Sequence, residues 1–315
     1  MPMPTRLAPL LLALSLPTAA LADEGWPRSI PDALGEATVA APPQRIVSTS
    51  PSLTGILLAI DAPLAATASA MVGPLTDDKG FFTQWAATAD QRGVEVLYPN
   101  LNFDIEALIV QEPDLVVASS VGGDSILPYL DQLRAQEVPV IVLDYANDGW
   151  EELAHSLGRA TGHEADAARM TQDFARRAAE AKAGLSLPPG DVSIVSYNFS
   201  GTYSVGKPES PQARVLAALG FSVAGLPDEM RGEVSRSADF DFVSHENLPA
   251  AITGDSVFLL NGTEQTVREF SADPVLANLP AVREGRVYPL GPNSFRVDYY
   301  SGLQIIETVA LYFAK

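Results

Sequence analysis

Four hydroxyl residues, Ser48, Thr49, Ser50 and Ser52, crowd around Pro51 in RIVSTSPSLTGILLAIDAPL (45–64), between three β-formers and an apolar run. Hydroxyls at the head of a helix can cap it, hold an anion or supply a nucleophile. A nucleophilic serine on an α/β sheet needs a G-x-S-x-G elbow, and none of these serines has one. The three histidines, His155, His163 and His245, are scattered and lie in no carboxylate–histidine motif, which disfavours a zinc triad. No phosphate loop with its lysine and no G-x-G-x-x-G follows a strand. VGGDS (121–125) has the wrong glycine spacing for a dinucleotide and reads as a turn capped by Asp124 or Ser125.

The remaining chemistry is recognition. With 39 acidic against 20 basic side chains the net charge is −19, which disfavours nucleic acid as a partner. It leaves room for a small anion, because surface charge is screened beyond about 8 Å at physiological salt. Lys207, Arg231, Arg236 and Arg296 fall in expected loops beside tyrosine and phenylalanine: NFSGTYSVGKPES (198–210), MRGEVSRS (230–237) and NSFRVDYY (293–300). Cations among aromatic rings suit a flat, electron-rich or anionic ligand. The amino-terminal half adds Thr49, Ser50, Trp85, Tyr98, Ser119, Ser120 and Tyr145 at expected strand ends.

The elements that must hold these residues alternate. Continuous apolar runs, DLVVAS (114–119), PVIVLD (139–144), VSIVSYN (192–198) and DSVFLL (255–260), lie between helical segments and predict mostly parallel, doubly covered sheets. In parallel α/β units ligands meet the loops at the carboxyl ends of strands. Between residues 161 and 187, Ala167, Met170, Phe174, Ala178, Ala181 and Leu185 recur at steps of three and four, and Thr161 and Glu164 have capping-box spacing. That predicts a helix of roughly 35 Å at 1.5 Å per residue, long enough to join two units. The expected fold is therefore α/β: two Rossmann-like lobes, 23–160 and 188–315, with a linking helix over 161–187.

The first residues read differently. Arg6, the apolar run 7–16 and the small-residue site Ala20–Ala22 form a secretory signal peptide (1–22) with cleavage expected after Ala22. The absence of cysteine excludes disulfides and a lipid anchor on cysteine. A periplasmic protein without a membrane anchor is expected.

PQRIVSTSPSLTGILLAIDAPL, the TGHE helix opening, LPAVREGRVYPLG and FRVDYYSG together resemble the ferric-siderophore periplasmic binding proteins of bacterial iron uptake, over essentially all of the mature chain. TDDKGF with the following QW, GGDS, KPES and FRVDYYS are similar to the enterobactin-like branch. The resemblance implies two lobes on a rigid helix, a ligand cleft between the lobes, and no enzymatic activity. It implies no cofactor beyond the ferric siderophore ligand, and delivery of that ligand by a monomer to an inner-membrane ABC permease. Arg296 and Arg236 fall on basic family positions. Arg231, Lys207, Tyr203, Trp85, Thr49 and Ser50 complete the expected ligand set, with no direct metal ligand.

The chain also departs from that pattern. Pro74 stands where enterobactin binders carry arginine, and Gly206 where they carry tryptophan, so either Lys207 or Arg231 compensates or the ligand is less negative. Gly55 and Arg214 align with glutamates that dock the permease, leaving Glu209 as the candidate docking carboxylate. Two other readings stay open. One is a binder of haem or another chelated metal, using Tyr203, Tyr299 or Tyr300. The other is an exported hydrolase using an opening serine.

Overall fold

The computed structural model describes residues 25–199, 201–232 and 234–315, and of Arg236 the backbone alone. The expected signal peptide and its cleavage site after Ala22 lie outside the described residues. Strand β1 (Arg28–Asp32) pairs antiparallel with β2 (Gly35–Val39) in a hairpin that the sequence did not announce. Then β3 (Ile46–Ser48), β4 (Leu64–Thr67), β5 (Glu95–Val96), β6 (Leu115–Ser119) and β7 (Val140–Leu143) form an all-parallel sheet, ordered β5-β4-β3-β6-β7. Every residue of β6 is buried, as a strand covered on both faces requires. The strand order reverses between β3 and β6, and such a switch point opens a crevice at the strand carboxyl ends.

The second sheet comprises β8 (Val192–Phe199), β9 (Thr202–Gly206), β10 (Ser235–Arg236), β11 (Phe240–Val243), β12 (Ser256–Leu259) and β13 (Val287–Pro289). Its order is β10-β11-β9-β8-β12-β13, parallel across β8, β12 and β13 and antiparallel from β8 outward. The fold is thus two α/β lobes with mostly parallel sheets. Segment 198–210, expected as a loop, carries β9, whose register with β11 brings Tyr203 opposite Val243.

Between the sheets runs the helix Glu164–Gly184, 21 residues long, which spans about 32 Å. Its buried stripe is Ala167, Met170, Phe174 and Ala178, the expected one. The capping box expected at Thr161 does not form. Thr161 closes the preceding helix (Trp150–Thr161) and donates its hydroxyl to the Leu157 carbonyl at 2.8 Å. Gly162 then turns the chain in the left-handed region at φ 78°, where glycine avoids the Cβ penalty. The long helix packs against the closing helix Tyr299–Phe313 and against Pro211–Leu219. The Phe174 ring meets Trp150 edge-on at 4.9 Å. One continuous core cluster includes Ile46 and Leu53 of the first lobe, Phe174 of the long helix, and Ile194 and Phe258 of the second lobe.

Candidate functional site

The cleft lies where the carboxyl ends of β3 and β6 face the 291–298 turn of the second lobe. Pro51 and Ser52 follow β3, Gly123 and Asp124 follow β6, and all four line it. Two connected hollows of ≈ 170 and ≈ 320 Å³ share Tyr145, Phe295 and Arg296. The first runs along the amino-terminal lobe past Ala70, Leu75, Phe82 and Leu101. The second runs along the carboxyl-terminal lobe past Ser196, Phe199, Asp239 and Phe240.

Arg296 is the charged centre of this cleft. Its guanidinium carbon lies 4.9 Å from the Tyr145 ring centroid and 4.8 Å from that of Phe295, so one cation is held between an aromatic ring of each lobe. Among the described residues it has no ion-pair partner. Its backbone is fixed from below. The Ser301 hydroxyl donates to the Arg296 carbonyl at 2.7 Å, and buried Gln212 donates from Nε2 to the carbonyls of Ser294 and Phe295, both at 2.9 Å. Asp298 caps the closing helix by accepting the Ser301 N–H at 2.9 Å. Burial raises the Asp298 pKa to about 6, against the lowering effect of the Ser301 hydrogen bonds. Across the lobes, the Thr83 hydroxyl donates to Asn293 Oδ1 at 2.7 Å.

Asp124 organises the other wall. It accepts the Tyr145 hydroxyl at 2.6 Å and the Ser50 hydroxyl at 2.5 Å. Burial, then the Asp124 charge, push the Tyr145 phenol well above its usual range, so it stays a neutral donor. Asp124 was read from sequence only as a turn cap; its partners, Ser50 and Tyr145, lie 74 and 21 residues away and leave no local signal. Asp239 faces the same cleft, its pKa raised by burial against the nearby charges of Arg296 and Lys207.

Several expected ligand residues are placed elsewhere. Trp85 is 1% exposed and packs on Phe81 at 5.3 Å, one layer beneath the cleft residue Phe82. Ser50 occupies the N-cap position of the helix Pro51–Ala59 without a side-chain capping bond, because its hydroxyl goes to Asp124. Thr49 is buried. The Tyr203 ring packs on Tyr197 and His245, at 5.6 and 5.0 Å, away from the cleft. Lys207 turns its ammonium onto the Ser237 carbonyl. Arg231 pairs with Asp228 at 3.1 Å on the open surface. The Arg236 side chain lies outside the described residues, and its backbone pairs opposite Asp241.

The alignment of Gly55 with a docking glutamate meets a steric limit. Gly55 is buried, and a Cβ there would come within 2.3 Å of Asp298 Oδ2 and 2.8 Å of Trp85 Cδ1, so no side chain at this position reaches the surface. Arg214 is exposed, 3.9 Å from Glu152, and Glu209 is exposed beside it. Neither the three histidines nor the tyrosines Tyr299 and Tyr300 line the cleft. Among the described residues no group of three His, Asp or Glu could hold a metal ion, and no helix is long and apolar enough to cross a membrane.

Comparison with known proteins agrees with this geometry. The family model of the periplasmic binding proteins matches residues 46–294. The ferric enterobactin-binding periplasmic protein FepB of Escherichia coli O6:H1 is 39% identical over 299 residues, 94% of this chain and 93% of that protein. The structure of holo-ViuP superposes with a TM-score of 0.84 at 36% identity, covering 92% of this chain and 96% of that one. Staphylococcus aureus SirA complexed with staphyloferrin B gives 0.69 at 18% identity, over 91% and 99%, and shares the fold. The chain belongs to the periplasmic binding protein family.

Proposed function

We propose that this protein is the periplasmic substrate-binding component of an ABC importer. It captures an iron-loaded, catecholate-type siderophore between its lobes and delivers it to an inner-membrane permease. The observation that carries this reading is Arg296, a cation with no ion-pair partner among the described residues, between the Tyr145 and Phe295 rings in the interlobe cleft, a setting suited to an anionic aromatic chelate. The ferric enterobactin-binding relative supports the iron complex as ligand. Arg296 leads the ligand set, with Arg236 as a second cation. The lobes divide at 23–160 and 188–315, with 161–187 as a rigid link that limits closure. The protein acts as an exported monomer without catalysis or cofactor, and Glu209 contributes to permease docking.

The haem reading loses its ligands, since Tyr203, Tyr299 and Tyr300 lie off the cleft. The hydrolase reading loses its base, since Ser50 donates to a carboxylate and no histidine is near. Titration of the purified chain with a ferric catecholate complex, the iron-free chelator and haemin separates these possibilities. The expected result is saturable one-to-one quenching of tryptophan fluorescence by the iron complex at sub-micromolar concentration. A Soret shift with haemin and no response to any ferric chelate would overturn it.

A further inference from the structure

We propose that the ligand is an aryl-bearing ferric chelate with fewer than the three negative charges of a tris-catecholate complex, its less charged flank facing the amino-terminal lobe. This rests on the ferric-siderophore reading above and narrows it. The two walls of the cleft differ in their balance of charge. The amino-terminal wall is apolar at Leu75, Phe82 and Leu101, and its one charged group is the carboxylate Asp124. Cations of that lobe are engaged elsewhere: Lys79 with Asp90, and Arg92 with Asp61 and the Leu58 carbonyl.

On the opposite wall Arg296 is the only cation among the described lining residues, and Asp239 stands beside it. Of the two residues that were to compensate for Pro74, Arg231 is paired with Asp228, and Lys207 keeps its charge but turns its ammonium onto the Ser237 carbonyl near Asp239. A trianion would therefore bring three charges into a cleft whose described lining offers one cation against two acidic side chains, and Arg236, the second cation proposed above, would still leave it short. Charge left unpaired on desolvation is costly. The aromatic half of the proposal comes from Phe295, stacked against Phe199 at 5.5 Å and Phe240 at 6.1 Å with interplanar angles of 28° and 5°. Such a shelf takes flat aryl arms edge or face on, with Arg296 at its rim.

The test uses three probes in fluorescence-quenching titrations at about 0.15 M ionic strength. They are a ferric tris-catecholate, the ferric complex of a hexadentate chelator with two catecholates and one hydroxamate, and a ferric trihydroxamate. The mixed chelate is expected to bind tightest, by about tenfold or more over each of the others. A tris-catecholate of equal or higher affinity overturns the charge argument, and a tighter trihydroxamate overturns the aryl shelf. Quenching by none of the three overturns the siderophore reading itself. Leu75→Arg supplies the missing cation and is expected to raise tris-catecholate affinity about tenfold relative to the mixed chelate. An unchanged ratio in a folded variant also refutes the charge argument.

Discussion

Replacing Arg296 by alanine removes the one described cation that lines the cleft. The guanidinium is 4.9 and 4.8 Å from two ring centroids and has no ion-pair partner among the described residues, so its charge is free to meet a ligand. One unit charge about 4 Å from another gains roughly 4 kcal/mol at an effective dielectric near 20, before desolvation. A hydrogen bond to a charged group nets about 1.5–3 kcal/mol after that cost. At about 1.4 kcal/mol per decade, Arg296→Ala should weaken a ferric catecholate complex roughly 10- to 150-fold. Arg296→Lys should fall between, keeping the charge but losing the planar donor fork. Fluorescence titration reads the effect, because Trp85 lies directly beneath Phe82 of the cleft, their ring centroids 6.0 Å apart. The wild type should also weaken more steeply with added salt than the alanine variant. A folded Arg296→Ala protein with affinity within about threefold of wild type and an unchanged salt slope would refute the reasoning.

Three further outcomes follow from the packing around the site. Asp298 titrates near 6 in the fold and lower when unfolded, so the folded state binds the extra proton and wild-type stability falls as pH rises from about 4 to about 6. Asp298→Asn keeps an N-cap acceptor and removes this titration, so urea denaturation should show wild type losing about 2–3 kcal/mol relative to the variant between pH 4 and pH 7; a pH-independent difference would count against the burial of this carboxyl. Gly55→Ala should cost about 1–3 kcal/mol by forcing a methyl against Asp298 and Trp85, measured by the same denaturation. Trp85→Phe should leave affinity for the ferric chelate within about twofold by isothermal titration calorimetry, while lowering stability by about 1–2 kcal/mol, since the indole packs in the core and its N–H has no partner among the described residues.

Much of the scaffold was legible because burial leaves a direct mark on composition. The runs that became β6 and β7 are apolar at consecutive positions, and the stripe from Ala167 to Ala178 repeats at the helical period. Strand β9 was not legible. TYSVG is five residues long, and β11, one of its two partners, begins 34 residues further on and is fixed only by tertiary pairing. In the site, Arg296 stood out as a cation among aromatics in a chain poor in bases. Asp124 and Gln212 did not, because each acts through partners far away in sequence. Trp85 and Lys207 have the residue types of ligand contacts, yet one fills the core against Phe81 and the other fastens the turn at Ser237. Side-chain type gave the chemistry available; only the packing decided which groups face the cleft.

The central claim is tested most directly by native mass spectrometry of the protein purified, without added ligand, from the periplasm of iron-limited cells. The expected result is a one-to-one adduct that releases ferric iron and an aryl chelator on denaturation. Arg296→Ala purified in parallel is expected to carry that adduct at much lower occupancy. An adduct of haem, or an iron chelate retained equally by wild type and Arg296→Ala, would contradict it.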